Sequence, residues 1–270
     1  MPELPEVETS RRGISPHITA QRIDEIVIRE RRLRWPVGME VEEELTGATI
    51  ESVGRRAKYL LLNTDNGTAI VHLGMSGSVC IVERDAPAGV HDHFDFAFGS
   101  GKSLRFRDPR RFGSLHWTDN PASHWLLRKL GPEPLGDDFS GAYLWRKSRG
   151  RRVTVKQFIM NAAIVVGVGN IYASESLFLA GIHPQRAAGR IALPRYDVLA
   201  TMIREVLERA IRAGGTTLRD FYGGDGAAGY FRQELAVYDR NGEPCLVCKQ
   251  PIAAKVLGQR STYYCKVCQT

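Results

Sequence analysis

Four cysteines near the end of the chain are the residues whose spacing points most directly to chemistry. Cys245 and Cys248 form one Cys-x2-Cys pair, and Cys265 and Cys268 form a second pair after 16 intervening residues. Thiolates at this spacing are typical of a zinc site, with one knuckle formed by each pair and a β-hairpin between them. Because four protein ligands leave no open position for water, we expect one structural Zn²⁺. The fifth cysteine, Cys80, lies in an apolar run and is expected in the core.

The chain begins Met-Pro-Glu, which could supply a nucleophile beside an acid. Removal of Met1 is expected because Pro2 is small, and it would leave Pro2 as a free secondary amine. An α-amine has a pKa of about 7.7–8.0, against about 10.4 for lysine, so more of it is neutral and nucleophilic near neutral pH. Such an amine can attack a sugar C1′ and form an iminium, with Glu3 as acid and base. Many proteins begin this way, so this start alone is weak support.

The overall charge favours a polyanionic partner. The formal net charge is +7, and arginine outnumbers lysine. Guanidinium groups match phosphate geometry, so nucleic acid fits this balance, although an anionic membrane surface would also fit. No apolar run is long enough to span a bilayer, and the N-terminus lacks the basic and apolar regions of a signal peptide. We therefore expect a cytoplasmic protein in a reducing compartment, where clustered cysteines bind metal rather than form disulfides.

Hydrophobic patterning divides the chain into a β-rich first part and a helical second part. Short apolar or alternating runs bounded by turn residues predict a helix within residues 5–14 and strands at residues 57–62, 68–73 and 103–107. From about residue 121 the apolar period predicts helices at residues 122–130, 143–148, 155–161, 171–180 and 195–213. We interpret the arginine-rich residues 146–152 as the linker between the two parts. Short strands that carry the four cysteines are expected after residue 229.

Six segments resemble the bacterial formamidopyrimidine-DNA glycosylase family in sequence, order and spacing. They are residues 2–8 (Pro-Glu-Leu-Pro-Glu-Val-Glu), 56–60 (Arg-Ala-Lys-Tyr-Leu), 72–77 (His-Leu-Gly-Met-Ser-Gly), 108–113 (Asp-Pro-Arg-Arg-Phe-Gly), 167–175 (Gly-Val-Gly-Asn-Ile-Tyr-Ala-Ser-Glu) and the four-cysteine segment. One such motif could arise by chance, but the resemblance extends from Pro2 to the last cysteine. The combination is therefore highly specific for this family.

The resemblance implies an α+β fold with two lobes. The N-terminal lobe would be a β-sandwich with flanking helices. The C-terminal lobe would hold a helix–two-turn–helix element and the four-cysteine zinc finger, with DNA in the cleft between the lobes. The implied domains are residues 1–133 (catalytic), 134–230 (DNA-binding) and 231–270 (zinc finger). The glycine-rich residues 216–232 would be either a loop that closes over the damaged base or a simple connector.

Four residues match the catalytic positions of the family. Pro2 would be the nucleophile, and Glu3 would protonate the opening deoxyribose ring and shuttle protons. Lys58 would contact the phosphates at the lesion and support catalysis. A lone lysine at the start of a strand is usually solvated, and the motif around Lys58 reverses that expectation. Arg260, between the two cysteine pairs, would be both a catalytic residue and a phosphate contact.

A second set of residues matches positions that bind DNA. The DNA contacts would be His72, His91, Arg110, Lys156, Asn170 and Arg260. The glycine-rich turn before Asn170 would open a helix, whose N-terminus offers free N–H groups to an anion. Arg110 would also read the partner base left behind by an extruded base. The residues that would fill the vacated space in the duplex are Met75, Arg110 and Phe112.

The sequence departs from the family at one place. Many members carry Asp-Gln after the Lys-x-x-Leu of one helix, whereas the helix of Lys156 runs here into Met160-Asn161-Ala162-Ala163. We expect the local hydrogen bonding to differ from that of the family and the class of activity to be the same. In the next helix, Glu175 would be structural or would tune the proline amine.

The resemblance implies a bifunctional DNA glycosylase and AP lyase of base excision repair. It would remove oxidised purines, namely 8-oxoguanine and formamidopyrimidines, by Schiff-base attack of Pro2 on C1′ followed by β,δ-elimination. Its partner would be double-stranded DNA with oxidised bases or abasic sites. It would act as a monomer, associated with the nucleoid through DNA and with no membrane partner.

Two alternatives stay open. The sister endonuclease VIII type prefers oxidised pyrimidines, and its start usually reads Pro-Glu-Gly-Pro, whereas Leu4 fills the third place here. A non-enzymatic DNA-binding or damage-sensing protein could keep the same scaffold. Loss of Pro2, Glu3 or Lys58 would favour that second alternative, and the sequence keeps all three.

Overall fold

The structure is a computed structural model that describes residues 2–215 and 235–270. It divides into two compact units. Of the described residues, the first unit comprises residues 2–128 and 213–215, and the second comprises residues 129–212 and 235–270. Among the described residues, no helix is both long and apolar enough to cross a membrane.

The described part of the first unit contains two helices and eight strands. In chain order they are α1 (Leu4–Ile18), β1 (Ile23–Ile28), α2 (Glu40–Leu45), β2 (Ile50–Arg56), β3 (Tyr59–Thr64), β4 (Gly67–His72), β5 (Ser78–Glu83), β6 (Asp92–Phe98), β7 (Lys102–Arg107) and β8 (Ser114–Thr118). The strands form two antiparallel sheets, in the orders β1-β6-β7-β5 and β2-β3-β4-β8.

The two sheets share one hydrophobic core. Strand β3 alternates between buried and half-buried residues, as expected for a strand with one face toward a core. Both sheets and α1 contribute apolar side chains to this core, and the rings of Phe94 and Phe106 stack within it at 4.6 Å between centroids. The predicted β-sandwich with flanking helices is therefore confirmed.

Helix α1 fixes the position of the N-terminal residues. Pro5 lies in its first turn, where a missing N–H breaks no helical hydrogen bond, and the Glu6 carboxylate accepts from the Glu3 N–H at 2.8 Å. Leu4 and Val7 are fully buried. Because the first turn is packed and capped in this way, the helix begins at a defined point directly after Glu3.

The described part of the second unit is helical and ends in a hairpin. Its elements are α3 (Gly141–Ser148), α4 (Val155–Met160), α5 (Asn170–Leu179), α6 (Leu193–Arg212), β9 (Ala253–Leu257) and β10 (Arg260–Tyr264). Helix α6 buries the predicted apolar face and stops before Gly214 and Gly215, which both have positive φ. Strands β9 and β10 pair antiparallel between the two cysteine pairs, so the cysteines flank the strands rather than lie on them.

Two predictions for the middle of the chain are wrong. Residues 122–130 form turns and not a helix. Their apolar residues follow one another instead of marking one helical face, and Trp125 is about half exposed. The arginine-rich residues 146–152 are not a linker, because they form the end of α3 and the following turn inside the second unit. Arg149 fastens this turn by donating to the Ile191 carbonyl at 2.8 Å.

Candidate active site and nucleic-acid interface

The start of α1 places a proline directly before a buried acid. Pro2 is buried, and Glu3 occupies the N-cap position with only 2% of its surface exposed. The first turn of a helix presents unpaired N–H groups and the positive end of the helix dipole. Pro2 therefore lies beside the positive end of the α1 dipole.

Glu8 ties α1 to the β2–β3 hairpin. Its carboxylate accepts from Arg11 and Arg12 on the same helix, at 2.8 and 2.9 Å, and from Arg55 of β2 at 3.2 Å. Burial alone would raise the pKa of Glu8, but hydrogen bonds from Arg11 and Arg12 and the charges of Arg11 and Arg55 outweigh it. They lower the pKa to about 2. Glu8 is thus ionised throughout the physiological range and holds the helix to the sheet.

The same arginine reaches the turn that carries Lys58. Arg55 donates from Nη1 to the Ala57 carbonyl at 2.9 Å. Arg56 pairs with Tyr59, which leaves Ala57 and Lys58 as a two-residue loop. Ala57 is buried and has φ of 56°, a left-handed conformation that costs energy for a residue with a Cβ. Lys58 therefore lies in a tight turn just before β3, half-buried, and not within the strand.

The three residues expected to fill a vacated base position lie in two loops of the first unit. Met75 lies between β4 and β5 and is half-buried, whereas Arg110 and Phe112 lie between β7 and β8 and are exposed. Phe112 is 41% exposed, far more than a core phenylalanine. The Arg110 guanidinium carbon lies 4.7 Å from the centre of the Phe112 ring, a cation–π arrangement. The pair forms an apolar surface with a charged tip.

His72 ends β4 as a neutral imidazole. Its Nδ1 accepts from the Gly74 N–H at 3.0 Å, which leaves the ring proton on Nε2. Burial lowers its pKa most, and the charges of Lys58 and Arg34 lower it further, to about 4. His72 can therefore donate one neutral hydrogen bond at physiological pH. His91 is half-buried and lines a cavity of about 430 Å³ with Arg29, Arg111 and other residues.

In the second unit, two expected DNA contacts converge on the hairpin that carries Arg260. Asn170 opens α5 and donates from Nδ2 to the Ser261 carbonyl at 3.0 Å. The Lys156 ammonium, on α4, donates to the same carbonyl at 3.0 Å and to the Thr262 hydroxyl at 2.9 Å. One backbone oxygen of β10 thus binds side chains from two helices. Arg260, one residue earlier, is exposed.

The four cysteines are arranged for a single metal ion. Their sulfur atoms all lie within 4.8 Å of one another. The Sγ atoms of Cys245 and Cys268 are 3.9 Å apart, and those of Cys248 and Cys265 are 3.4 Å apart. A tetrahedral zinc with Zn–S bonds of about 2.3 Å has sulfurs about 3.8 Å apart. The donor set and its spacing therefore fit one structural Zn²⁺, held by these four thiolates.

Glu175 has a structural role in the second unit. It is 3% exposed, and its carboxylate accepts from the backbone N–H groups of Ala236, Val237 and Tyr238 at 2.8, 3.0 and 2.8 Å. Burial raises its pKa, and the three N–H donors oppose that rise. The carboxylate holds the segment that leads into the cysteine cluster against α5.

Residues 160–163, where the sequence departs from the family, form hydrogen bonds with residues close to them. The Asn161 side chain accepts from the Ala163 N–H at 2.9 Å, and its carbonyl accepts from the Ile164 N–H at 2.8 Å. The Ala162 carbonyl accepts from the Gly131 N–H at 2.8 Å. The turn after α4 is therefore closed by its own hydrogen bonds, without the acidic residue that many family members carry.

Comparison with known proteins identifies the family. The Formamidopyrimidine-DNA glycosylase N-terminal domain matches residues 1–115, the Formamidopyrimidine-DNA glycosylase H2TH domain matches residues 130–222, and the zinc finger found in FPG and IleRS matches residues 242–270. The chain belongs to the formamidopyrimidine-DNA glycosylase family. The formamidopyrimidine-DNA glycosylases of Stutzerimonas stutzeri and Thioalkalivibrio sulfidiphilus are each 57% identical to it, over 269 and 270 residues that cover 100% of both chains.

Solved structures of family members share the fold. A complex of Lactococcus lactis Fpg with DNA containing an abasic site has a TM-score of 0.91 at 36% identity, covering 99% of each chain. A Lactococcus lactis FPG mutant in complex with Fapy-dG-containing DNA gives 0.92 at 36% identity, with the same coverage. The MutM (FPG) protein from Thermus thermophilus gives 0.89 at 34% identity, covering 99% of this chain and 98% of that one.

Lys156, one of the DNA contacts expected from the formamidopyrimidine-DNA glycosylase resemblance, forms hydrogen bonds inside the protein. Its side chain is 1% exposed and its ammonium is directed at the protein's own β10. A phosphate could reach this nitrogen only if those hydrogen bonds broke. Lys156 therefore holds the Arg260 hairpin, and its contact with DNA stays a prediction.

Sequence analysis missed the residues that hold the site residues in place. Arg55 and Ser261 gave no signal, because their partners lie far away along the chain. Glu8 stood inside a family motif, which did not reveal its pairing with Arg55. Asp108 stood inside a family motif, but only the structure shows its bonds. The loop expected at residues 216–232 lies outside the described residues.

Proposed function

We propose that this family member is a bifunctional DNA glycosylase and AP lyase that removes 8-oxoguanine and formamidopyrimidines from duplex DNA in base excision repair. The observation that carries the proposal is the start of α1, where a proline that becomes N-terminal on loss of Met1 is followed by a buried glutamate. The Lactococcus lactis relatives, in complexes with Fapy-dG-containing and abasic-site DNA, support the substrate class.

The proposed reaction begins at the Pro2 amine. Its lone pair attacks C1′, the N-glycosidic bond breaks, and the base leaves with the bonding electrons and with the proton that the Pro2 nitrogen gives up. Glu3 protonates the ring oxygen of the deoxyribose, so the ring opens and the C1′ adduct becomes an iminium. The Glu3 carboxylate then takes a C2′ proton as β-elimination expels the 3′ phosphate, and δ-elimination expels the 5′ phosphate. Water hydrolyses the remaining iminium and frees the Pro2 amine. Lys58 and Arg260 neutralise phosphates near the reacting sugar.

The remaining exposed or half-buried site residues bind and distort the duplex. His72, His91, Asn170 and Arg260 contact phosphates, with His72 acting as a neutral donor. Met75, Arg110 and Phe112 fill the space of the extruded base, and Arg110 pairs with the base left on the opposite strand. The protein acts on DNA as a monomer.

A cleavage assay on three duplexes tests the proposal. We expect strand cleavage at 8-oxoguanine opposite cytosine to be much faster than opposite adenine, because Arg110 accepts the orphaned cytosine best. Thymine glycol should be cleaved more slowly than 8-oxoguanine. A preference for thymine glycol would assign the chain to the sister activity on oxidised pyrimidines. Tight binding without any cleavage would assign it to damage sensing.

A further inference from the structure

The carboxylate of Asp108 connects the two loops that carry the wedge residues. Asp108 follows β7 and is fully buried. It accepts from the Gly113 N–H at 2.7 Å and the Arg110 N–H at 3.2 Å within its own loop. It also accepts from the hydroxyl of Ser76 at 2.6 Å, and Ser76 adjoins Met75 in the other loop. A hydroxyl bound to a carboxylate at this distance is a strong, charge-assisted donor.

The backbone of Asp108 extends the same connection to the start of β6. Its N–H donates to the His91 carbonyl at 2.9 Å, and its carbonyl accepts from the ring Nε2 of buried His93 at 2.7 Å. One residue therefore bonds to the Met75 loop, to the Arg110–Phe112 loop and to the start of β6.

Close backbone packing makes the connection between the loops rigid. Gly74 has φ of 67°, and a Cβ there would lie 2.5 Å from the carbonyl carbon of Phe112 and the nitrogen of Gly113. A Cβ on Gly113 would lie 2.7 Å from the carbonyl oxygen of His72. The loops thus touch backbone to backbone, and the Ser76–Asp108 bond fastens them side by side.

We propose that Ser76 and Asp108 are positioning residues that make Met75, Arg110 and Phe112 enter the duplex as one wedge. The proposal rests on the proposed function, since it concerns how the extruded base is replaced. When the two loops are already fastened together, the conformational entropy of the three wedge side chains is lost on folding and not again on DNA binding. Three independent side chains would each have to find the vacated space.

The Ser76→Ala variant isolates this connection. It removes the bond between the loops but leaves the bonds of Asp108 to Arg110 and Gly113, so the second loop keeps its own fold. Ser114→Ala is the matched control, because Ser114 is a buried serine of the same unit whose hydroxyl has no hydrogen-bond partner in the described structure. Ser76→Thr keeps the hydroxyl and should therefore excise the damaged base faster than Ser76→Ala.

The first measurement is the single-turnover excision rate on 8-oxoguanine opposite cytosine. Ser76→Ala should slow excision about tenfold or more, the effect of losing one charge-assisted hydrogen bond, while duplex affinity changes less than about twofold. Met75→Ala and Phe112→Ala should together slow excision little more than either alone, and their effects should become additive in the Ser76→Ala background. Additive effects with Ser76 present, or a Ser76→Ala rate equal to that of Ser114→Ala, would overturn the proposal.

The second measurement does not depend on excision. A duplex with 2-aminopurine beside a tetrahydrofuran abasic analogue reports wedge insertion as a change in fluorescence. Ser76→Ala should reduce that change at saturating protein, and Ser76→Thr and Ser114→Ala should not. A wild-type protein that excises nothing would refute the proposed function, whereas an unchanged fluorescence response in Ser76→Ala would refute the joined wedge.

Discussion

The two units hold their candidate DNA-contacting residues by different means. In the first unit, buried carboxylates do so: Glu8 fastens α1 to the hairpin of Lys58, and Asp108 fastens the two wedge loops. In the second unit, the Ser261 carbonyl and the cysteine cluster fix the position of Arg260. The hydrogen bonds and ion pairs of a carboxylate weaken when it is protonated, whereas a backbone carbonyl does not titrate. A metal bound by the cysteines can instead be removed by a chelator. The ion pairs of Glu8 should therefore be sensitive to acid, and the cysteine cluster should be sensitive to chelation.

Removal of zinc should have the largest effect. Without the metal, the four thiolates no longer hold the two ends of the β9–β10 hairpin together, so Arg260 loses its fixed position. We expect Cys268→Ser to lose zinc and to weaken DNA binding about 100-fold or more. Metal analysis and fluorescence anisotropy measure the two losses. Cys80→Ser is the control that should keep both zinc and DNA affinity. Full DNA affinity in a zinc-free protein would show that the metal does not hold Arg260 in position.

Lys156 and Arg260 should behave differently although both are basic and neighbouring. Lys156→Met removes a buried ammonium that donates to Ser261 and Thr262, and it should lower the free energy of unfolding by about 3 kcal/mol in urea denaturation. The dependence of DNA affinity on salt should keep its slope. Arg260→Ala should leave stability almost unchanged and reduce that slope by about 1, as expected for one lost phosphate contact. A flatter salt dependence in Lys156→Met would show that Lys156 binds phosphate after all.

Glu8 should make the first unit sensitive to acid. Its pKa of about 2 in the folded protein lies below its ordinary value of 4.5, so its ion pairs stabilise the fold above about pH 4.5. That stabilisation is lost as the pH falls toward 2. Glu8→Gln should lower the free energy of unfolding by roughly 2 kcal/mol at neutral pH and by progressively less in acid. Exposed Glu51→Gln is the control, and parallel pH curves for wild type and Glu8→Gln would contradict this role.

Substitution of His72 should change DNA affinity least. Because its pKa is about 4, it stays neutral in DNA-binding assays between about pH 5.5 and pH 7.5. His72→Gln, which keeps a neutral donor, should change DNA affinity by less than about threefold. The ratio of wild-type to variant affinity should not depend on pH over this range. A ratio that rises as the pH falls to 6 would show that His72 is protonated on DNA.

The sequence predicted helices, strands and motifs better than it predicted the contacts that hold them in place. The apolar face of α6 and the two cysteine pairs are local patterns, and both are confirmed. Residues 122–130 were misread because consecutive apolar residues were taken for a helical face. The Lys156 prediction assumed an exposed ammonium, and the partners that bury it are more than 100 residues away. Pairings such as Glu8–Arg55 follow from the fold, and composition or spacing does not reveal them.

Reductive trapping shows whether the Pro2 amine is the nucleophile. Borohydride should reduce the iminium formed on 8-oxoguanine DNA to a stable protein–DNA adduct. Peptide mapping of that adduct should place the DNA on Pro2, and trapping should fall to background in Pro2→Gly or when an uncleaved tag blocks the amine. Trapping at the wild-type level with Pro2 blocked would show that a lysine attacks the sugar and would contradict the account.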